Sequence, residues 1–192
     1  MPALETERNP IARWHIVKGL GLCHSVRSVP LLLDVCRAPD TDLDHTSLHS
    51  IAAWALGRIG TQSYEAVIDL LSEKAEESRR CAVDALGEIR DARAVDSLCE
   101  ALRHDTPVVG LWAGLALSKL GTSAIECLHS IATNSSGNQR MIALDAIIKI
   151  DSTDSLPILC ECYKAGTDHE RTFLANASTA LRTRLQNEGL IH

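Results

Sequence analysis

The residues of this chain best suited to metal or nucleophilic chemistry are its seven cysteines and eight histidines, and their spacing decides how much of that chemistry is open. Cys99, His129 and Cys160 recur at 129 − 99 = 30 and 160 − 129 = 31 residues, with Leu33 and Leu71 placed in the same column. Cys-His-Cys suggests a metal site, but neighbouring helix axes lie roughly 8–10 Å apart, whereas ligands about 2.3 Å from one zinc lie much closer together. The leucines in the column point instead to packing, with Cys acting as a small hydrophobe. Cys160 and Cys162 diverge by about 200° around a helix and do not chelate together. Cys36, Cys81 and Cys127 stand alone at helical positions and read as structural. Cys23 beside His24 could supply a thiolate, but no orienting acid is adjacent, and a plain surface cysteine is the reading. His45 and His49 share a face at i, i+4, below Asp42 and Asp44. Asp44 as a helix N-cap explains the same letters. No metal, cofactor or catalytic set is expected.

A repeated unit must position these side chains. Ala55-Leu56-Gly57 returns as Ala85-Leu86-Gly87, as Ala116-Leu117-Ser118 and as Ala146-Ile147-Ile148, at intervals of 86 − 56 = 30, 117 − 86 = 31 and 147 − 117 = 30. A degenerate copy, Gly19-Leu20-Gly21, lies 56 − 20 = 36 residues upstream. Fixed periods of this size mean stacked units, each contacting its neighbours. Within one unit, Ala82, Val83, Leu86 and Ile89 form a helical stripe. Arg90-Asp91-Ala92-Arg93 makes a turn, and Ala94, Val95, Leu98 and Leu102 form a second stripe. The expected fold is all-α: a right-handed solenoid of five helix pairs starting near residues 10, 44, 78, 106 and 137. A capping helix from about Glu170 to Gln186 closes it. Residues 1–9 read as a flexible leader and 10–192 as one solenoid domain.

The stretch Arg79 to Leu102, RRCAVDALGEIRDARAVDSLCEAL, resembles the HEAT-like repeat of the phycobilisome-lyase type. That repeat's recurrent Arg matches Arg13, Arg79 and Arg140, with His49 and Gly110 at the same place in the other two copies. The resemblance implies an interaction module or a subunit that handles a bilin or related tetrapyrrole. It also implies that the second helices line the concave side. His169-Glu170 resembles the His-Glu pairs of deoxyhypusine hydroxylase, a HEAT-like di-iron enzyme, but that fold repeats such pairs and here there is one.

Charges on the second helices are ordered. Asp34, Glu100 and Glu161 share one solvent-facing position, Asp96 and Glu126 the position one turn before, and Arg37, Arg103 and Lys164 the C-terminal end. Together they are the expected partner-binding residues, an acidic stripe on the concave face. The partner is a protein or peptide, with a tetrapyrrole the alternative. A net charge of −6 opposes nucleic acid and anionic membrane, and Trp14, Trp54 and Trp112 fall in three registers, so they give no base-stacking platform. The longest apolar run, within Pro107 to Leu117, is too short for a bilayer. The start of the chain has no basic-then-apolar signal pattern, and cysteines without one suggest free thiols in a reducing, cytoplasmic setting.

Overall fold

The computed structural model describes residues 7–39, 47–152, 154–177, 179–187 and 189. Among them there are helices and no strand. Five helix pairs follow the repeat: α1 (Pro10–Leu22) with α2 (Val29–Arg37), α3 (Leu48–Ile59) with α4 (Tyr64–Leu70), and α5 (Glu76–Ile89) with α6 (Val95–His104). Next come α7 (Pro107–Leu120) with α8 (Ile125–Asn134) and α9 (Gly137–Ile150) with α10 (Ser155–Ala165). The C-terminal helical segments α11 (Asp168–Ala177) and α12 (Thr179–Asn187) bury Leu174, Leu181 and Leu185, one stripe at the expected cap. The leader's first six residues and the pair His45 and Asp42 or Asp44 lie outside the described residues.

Local chemistry sets where each helix starts. Asn9 accepts hydrogen bonds from the Ile11 and Ala12 amides, with Pro10 in the first turn, as a side-chain N-cap requires. Thr106 does the same before Pro107. The second repeat starts later than expected: Ser47, not Asp44, caps α3 by accepting from the Ser50 amide. Each first helix ends four residues after its recurring Leu or Ile on a positive φ: His24 (49°), Gly60 (80°), Arg90 (57°), Gly121 (69°) and Asp151 (48°). That left-handed residue is the usual way to stop a helix, and here it turns the chain into the second helix.

The recurring column is the core. Leu56, Leu86, Leu117 and Ile147 are fully buried. First helices pack on one another at backbone distance. A Cβ added to Gly21 would meet the Ala55 Cα at 2.8 Å, and one on Gly87 would meet the Ala116 Cα at 2.9 Å. Second helices stand further apart. Gly and Ala at the first-helix interfaces let that layer close up. The stretch Pro107–Asn134 is long and apolar enough by composition to cross a membrane, with mean hydropathy 1.4. It is divided at Gly121 into α7 and α8, which pack into the stack.

Four cysteines are paired: Cys36 with Cys81 (Cα atoms 5.7 Å apart) and Cys99 with Cys127 (6.5 Å). Those separations lie in the disulfide range. The expectation of free thiols is thus corrected for these four cysteines. Stacking, which spacing along one helix does not reveal, brings the partners together.

Candidate partner-binding grooves

Because the second helices stand apart, grooves run between them. The groove between α6 and α8, about 510 Å³, is lined by Asp96, Glu100, Arg103 and Glu126, with Val95 and the Cys99–Cys127 pair among its walls. Four of the eight expected partner-binding residues thus meet in one place. The neighbouring groove between α4 and α6, about 700 Å³, shares Glu100 and adds Ile68, Leu71, Ala101 and His104. Its end is closed by Arg79, which donates to both Asp105 carboxylate oxygens at 2.8 Å. These hydrogen bonds hold the Asp105 carboxyl below the usual aspartate value.

The other four expected residues flank this pair of grooves. Asp34 and Arg37 lie on α2, 3.6 Å from each other, and Arg37 also meets Glu73 at 3.0 Å. Glu161 on α10 is 3.9 Å from His129, and Lys164 is exposed on the same helix. Arg103 approaches Glu100 at 3.5 Å, one turn away. The basic residues thus answer acids of their own face, and such exposed pairs contribute little to stability. The buried residue that opens each second helix aligns Ser28, Ser63, Ala94, Ala124 and Ser155. In that register Ile68, not Leu71, joins Leu33, Cys99, His129 and Cys160. It also adds two acids that the sequence reading missed: exposed Asp69 beside Asp34, Glu100 and Glu161, and exposed Glu65 beside Asp96 and Glu126. The connection between α3 and α4, residues 60–63, is one residue shorter than residues 90–94 between α5 and α6.

The remaining candidates have structural partners. His49 is buried. Its Nε2 lies 2.8 Å from the Ala38 carbonyl, which requires it to donate, and its Nδ1 then accepts from Arg80 at 3.2 Å. The His24 ring engages Arg58 through both nitrogens, 2.6 Å to the Arg58 carbonyl and 3.2 Å to the guanidinium, and is committed away from Cys23. Cys160 and Cys162 are buried thiols, and desolvation raises the Cys162 pKa. Glu170 accepts from the Thr167 amide at 2.7 Å and reaches Arg140 at 2.7 Å, the Thr167 bond first holding its pKa below the ordinary value. That arrangement is a helix capping box, so His169-Glu170 serves helix α11. Among the described residues no three His, Cys, Asp or Glu side chains converge as a metal shell.

The first-helix layer holds a charge cluster around the buried Asp84. Lys119 on α7 lies 3.1 Å from Asp84 and 2.7 Å from Glu88 on α5. Desolvation raises the Asp84 pKa against the pull of Lys119. Burial works against the Lys119 charge as well, but Glu88 and Asp84 hold its pKa above the lysine value. Arg80 stands over the Trp112 ring at 5.2 Å, and Arg58 over Trp54 at 6.0 Å.

A family model described as HEAT repeats matches residues 42–118. Residues 42–118 carry HEAT repeats. The complex of CpcE and CpcF of phycocyanin lyase from Nostoc sp. PCC7120 is similar in fold, with a TM-score of 0.60 at 21% identity over 85% of this chain and 98% of that one. An engineered protein matches with a TM-score of 0.45 (16% identity, 97% and 92% coverage). A designed armadillo repeat protein matches with a TM-score of 0.41 (15% identity, 93% and 96% coverage). No curated protein sequence matches this chain. The HEAT repeats thus form an α-solenoid, as the 30-residue period implies.

Proposed function

We propose that this HEAT-repeat chain is a non-enzymatic scaffold that binds a protein or peptide partner across the grooves of its second helices. The observation that carries the reading is the convergence of Asp96, Glu100, Arg103 and Glu126 around one groove, beside a second groove with an apolar wall of Ile68, Leu71 and Ala101. Apolar walls with an acidic rim suit a partner segment with basic and aliphatic side chains. Asp34, Glu161, Arg37 and Lys164 extend the rim in both directions. The similar lyase structure is itself a complex of two chains, which supports a protein partner. Cytoplasmic residence belongs to the same proposal; the paired cysteines weigh against it, since such bonds persist in oxidising surroundings.

The test reverses the shared column. Asp34→Lys, Glu100→Lys and Glu161→Lys together are expected to leave melting unchanged, because all three are exposed and such surface changes move stability little. Affinity for a partner captured by the wild-type chain should fall about tenfold or more, the equivalent of about 1.4 kcal/mol. Unchanged affinity would move the binding face elsewhere.

The alternative, handling of a bilin or other tetrapyrrole, draws on the fold shared with phycocyanin lyase. A visible-spectrum titration with a free bilin separates the two: a saturable shift favours the tetrapyrrole, a flat response the scaffold.

A further inference from the structure

Seven residues before the recurring Leu or Ile of each first helix lies one column of residues with a common task. Arg79 donates to the carbonyls of Glu73 and Lys74, just past the end of α4. Arg140 donates to the Ala132 carbonyl near the end of α8. His49 donates to the Ala38 carbonyl after α2. In the fourth repeat the column holds Gly110, where an added Cβ would stand 3.4 Å from the Leu102 carbonyl oxygen of α6. Arg171 on α11 continues the pattern onto the Tyr163 and Lys164 carbonyls of α10. Each repeat thus receives the C-terminal end of the helix before it, whose last carbonyls have no partner within their own helix.

Arg13 holds the same position on α1, with no preceding helix opposite it among the described residues; its Nε, the atom that meets Asp105 in Arg79 and Glu170 in Arg140, is buried without a hydrogen bond. The edge around it is open as well. Ile11, His15, Lys18 and Leu22 form one stripe at i, i+4, i+7 and i+11. In later repeats the equivalents of the last three face the preceding unit: Ile142 packs on Gly114, Trp54 on Gly21 and Glu88 on Gly57. On α1 that stripe leaves Ile11 60% and Leu22 56% exposed, and nothing lies within 4 Å of a Cβ built on Gly19. Solenoid ends ordinarily carry a polar outer face.

We propose that this edge of α1 is a docking surface for the C-terminal end of an acidic helix in a partner protein, with Arg13 taking its terminal carbonyls. Charge selects the occupant. Residues 8–33 contain four basic and no acidic residues, Arg8, Arg13, Lys18 and Arg27, in a chain of net charge −6. An acidic helix whose C-terminal dipole is also negative complements that edge. By sequence the last residues of this chain are no such acidic segment, since residues 179–192 carry Arg182 and Arg184 against the single acid Glu188. This surface is independent of the second-helix grooves.

The probe is a helix-stapled peptide of residues 64–75, YEAVIDLLSEKA, the acidic α4 segment whose end Arg79 receives. Titrated into the full isotope-labelled chain, it should shift amide resonances of Ile11 to Leu22. Arg13→Gln should weaken binding about tenfold with unchanged melting, Arg13→Lys should weaken it less, and a charge-reversed peptide should not bind. Absence of binding, shifts confined to other repeats, or equal affinity for Arg13→Gln would each overturn the proposal. Self-association in sedimentation that Leu22→Asp abolishes would also overturn it, by making a second copy the occupant.

Discussion

Leu86→Asp is expected to abolish the cooperative thermal transition of this chain or to leave only a partly folded array. Leu86 is fully buried at the centre of the repeat column, on the helix that packs on both α3 and α7. The loss of leucine packing, about 2–5 kcal/mol for truncation alone, adds to the cost of burying an unpaired polar group. The sum rivals the entire stability of an ordinary domain. Because every repeat leans on its neighbours, the damage divides the stack in the middle. Circular dichroism melts decide it: a single wild-type-like transition would mean that residue 86 does not face the core.

Lys119→Met should produce a second large effect, with a distinctive pH dependence. It leaves the Asp84 side chain, 9% exposed, without its cation. Removing one partner of a buried pair costs about 3–5 kcal/mol; about 3 kcal/mol is expected here, since 31% of the Lys119 side chain reaches solvent. The sign follows from the direction of the shift. The folded-state pKa of Asp84 already lies above the ordinary 3.8, and loss of Lys119 raises it further. Below 3.8 the carboxyl is protonated in both folded and unfolded chains, so the penalty is absent. It grows as pH rises above that value, because the unfolded chain releases its proton first. Chemical denaturation of variant and wild type across that range should diverge with rising pH. Adding Asp84→Asn should restore most of the loss, and a pH-independent difference would assign the effect to packing alone.

How much of this was legible in the sequence depended on which layer carried the signal. The first helices could be read outright, because Leu56, Leu86, Leu117 and Ile147 recur at a nearly constant interval and all face the core. The second helices were legible in four repeats and slipped in one. Helix α4 spans only Tyr64–Leu70, after a connection one residue shorter than the one before α6, so Leu71 was aligned where Ile68 belongs and Asp69 went unseen. The acidic column itself was visible; its convergence into a groove depended on helix separation, which no spacing along the chain encodes. The close approach of the first helices was hidden for a related reason, because Gly21 and Gly87 act through the atoms they lack. The recurrent Arg was recognised as a pattern, yet its task emerged only when the carbonyls of the preceding helix stood opposite it.

The Cys36–Cys81 bond has a consequence for how the molecule comes apart. A repeat array unfolds approximately as a one-dimensional chain of units coupled to their nearest neighbours, and its ends fray first. This bond runs from the first repeat to the third and passes over the second. It is thus a next-nearest-neighbour coupling that nearest-neighbour statistics do not contain. With the link closed, the first three repeats should open as one block, helped by about 4 kcal/mol of loop-closure entropy for a 45-residue separation. With it reduced, the first repeat is free to fray alone. Native-state hydrogen exchange should register the change as a shared opening free energy for α1 to α5 in the oxidised chain, which divides into a gradient when thiols are restored.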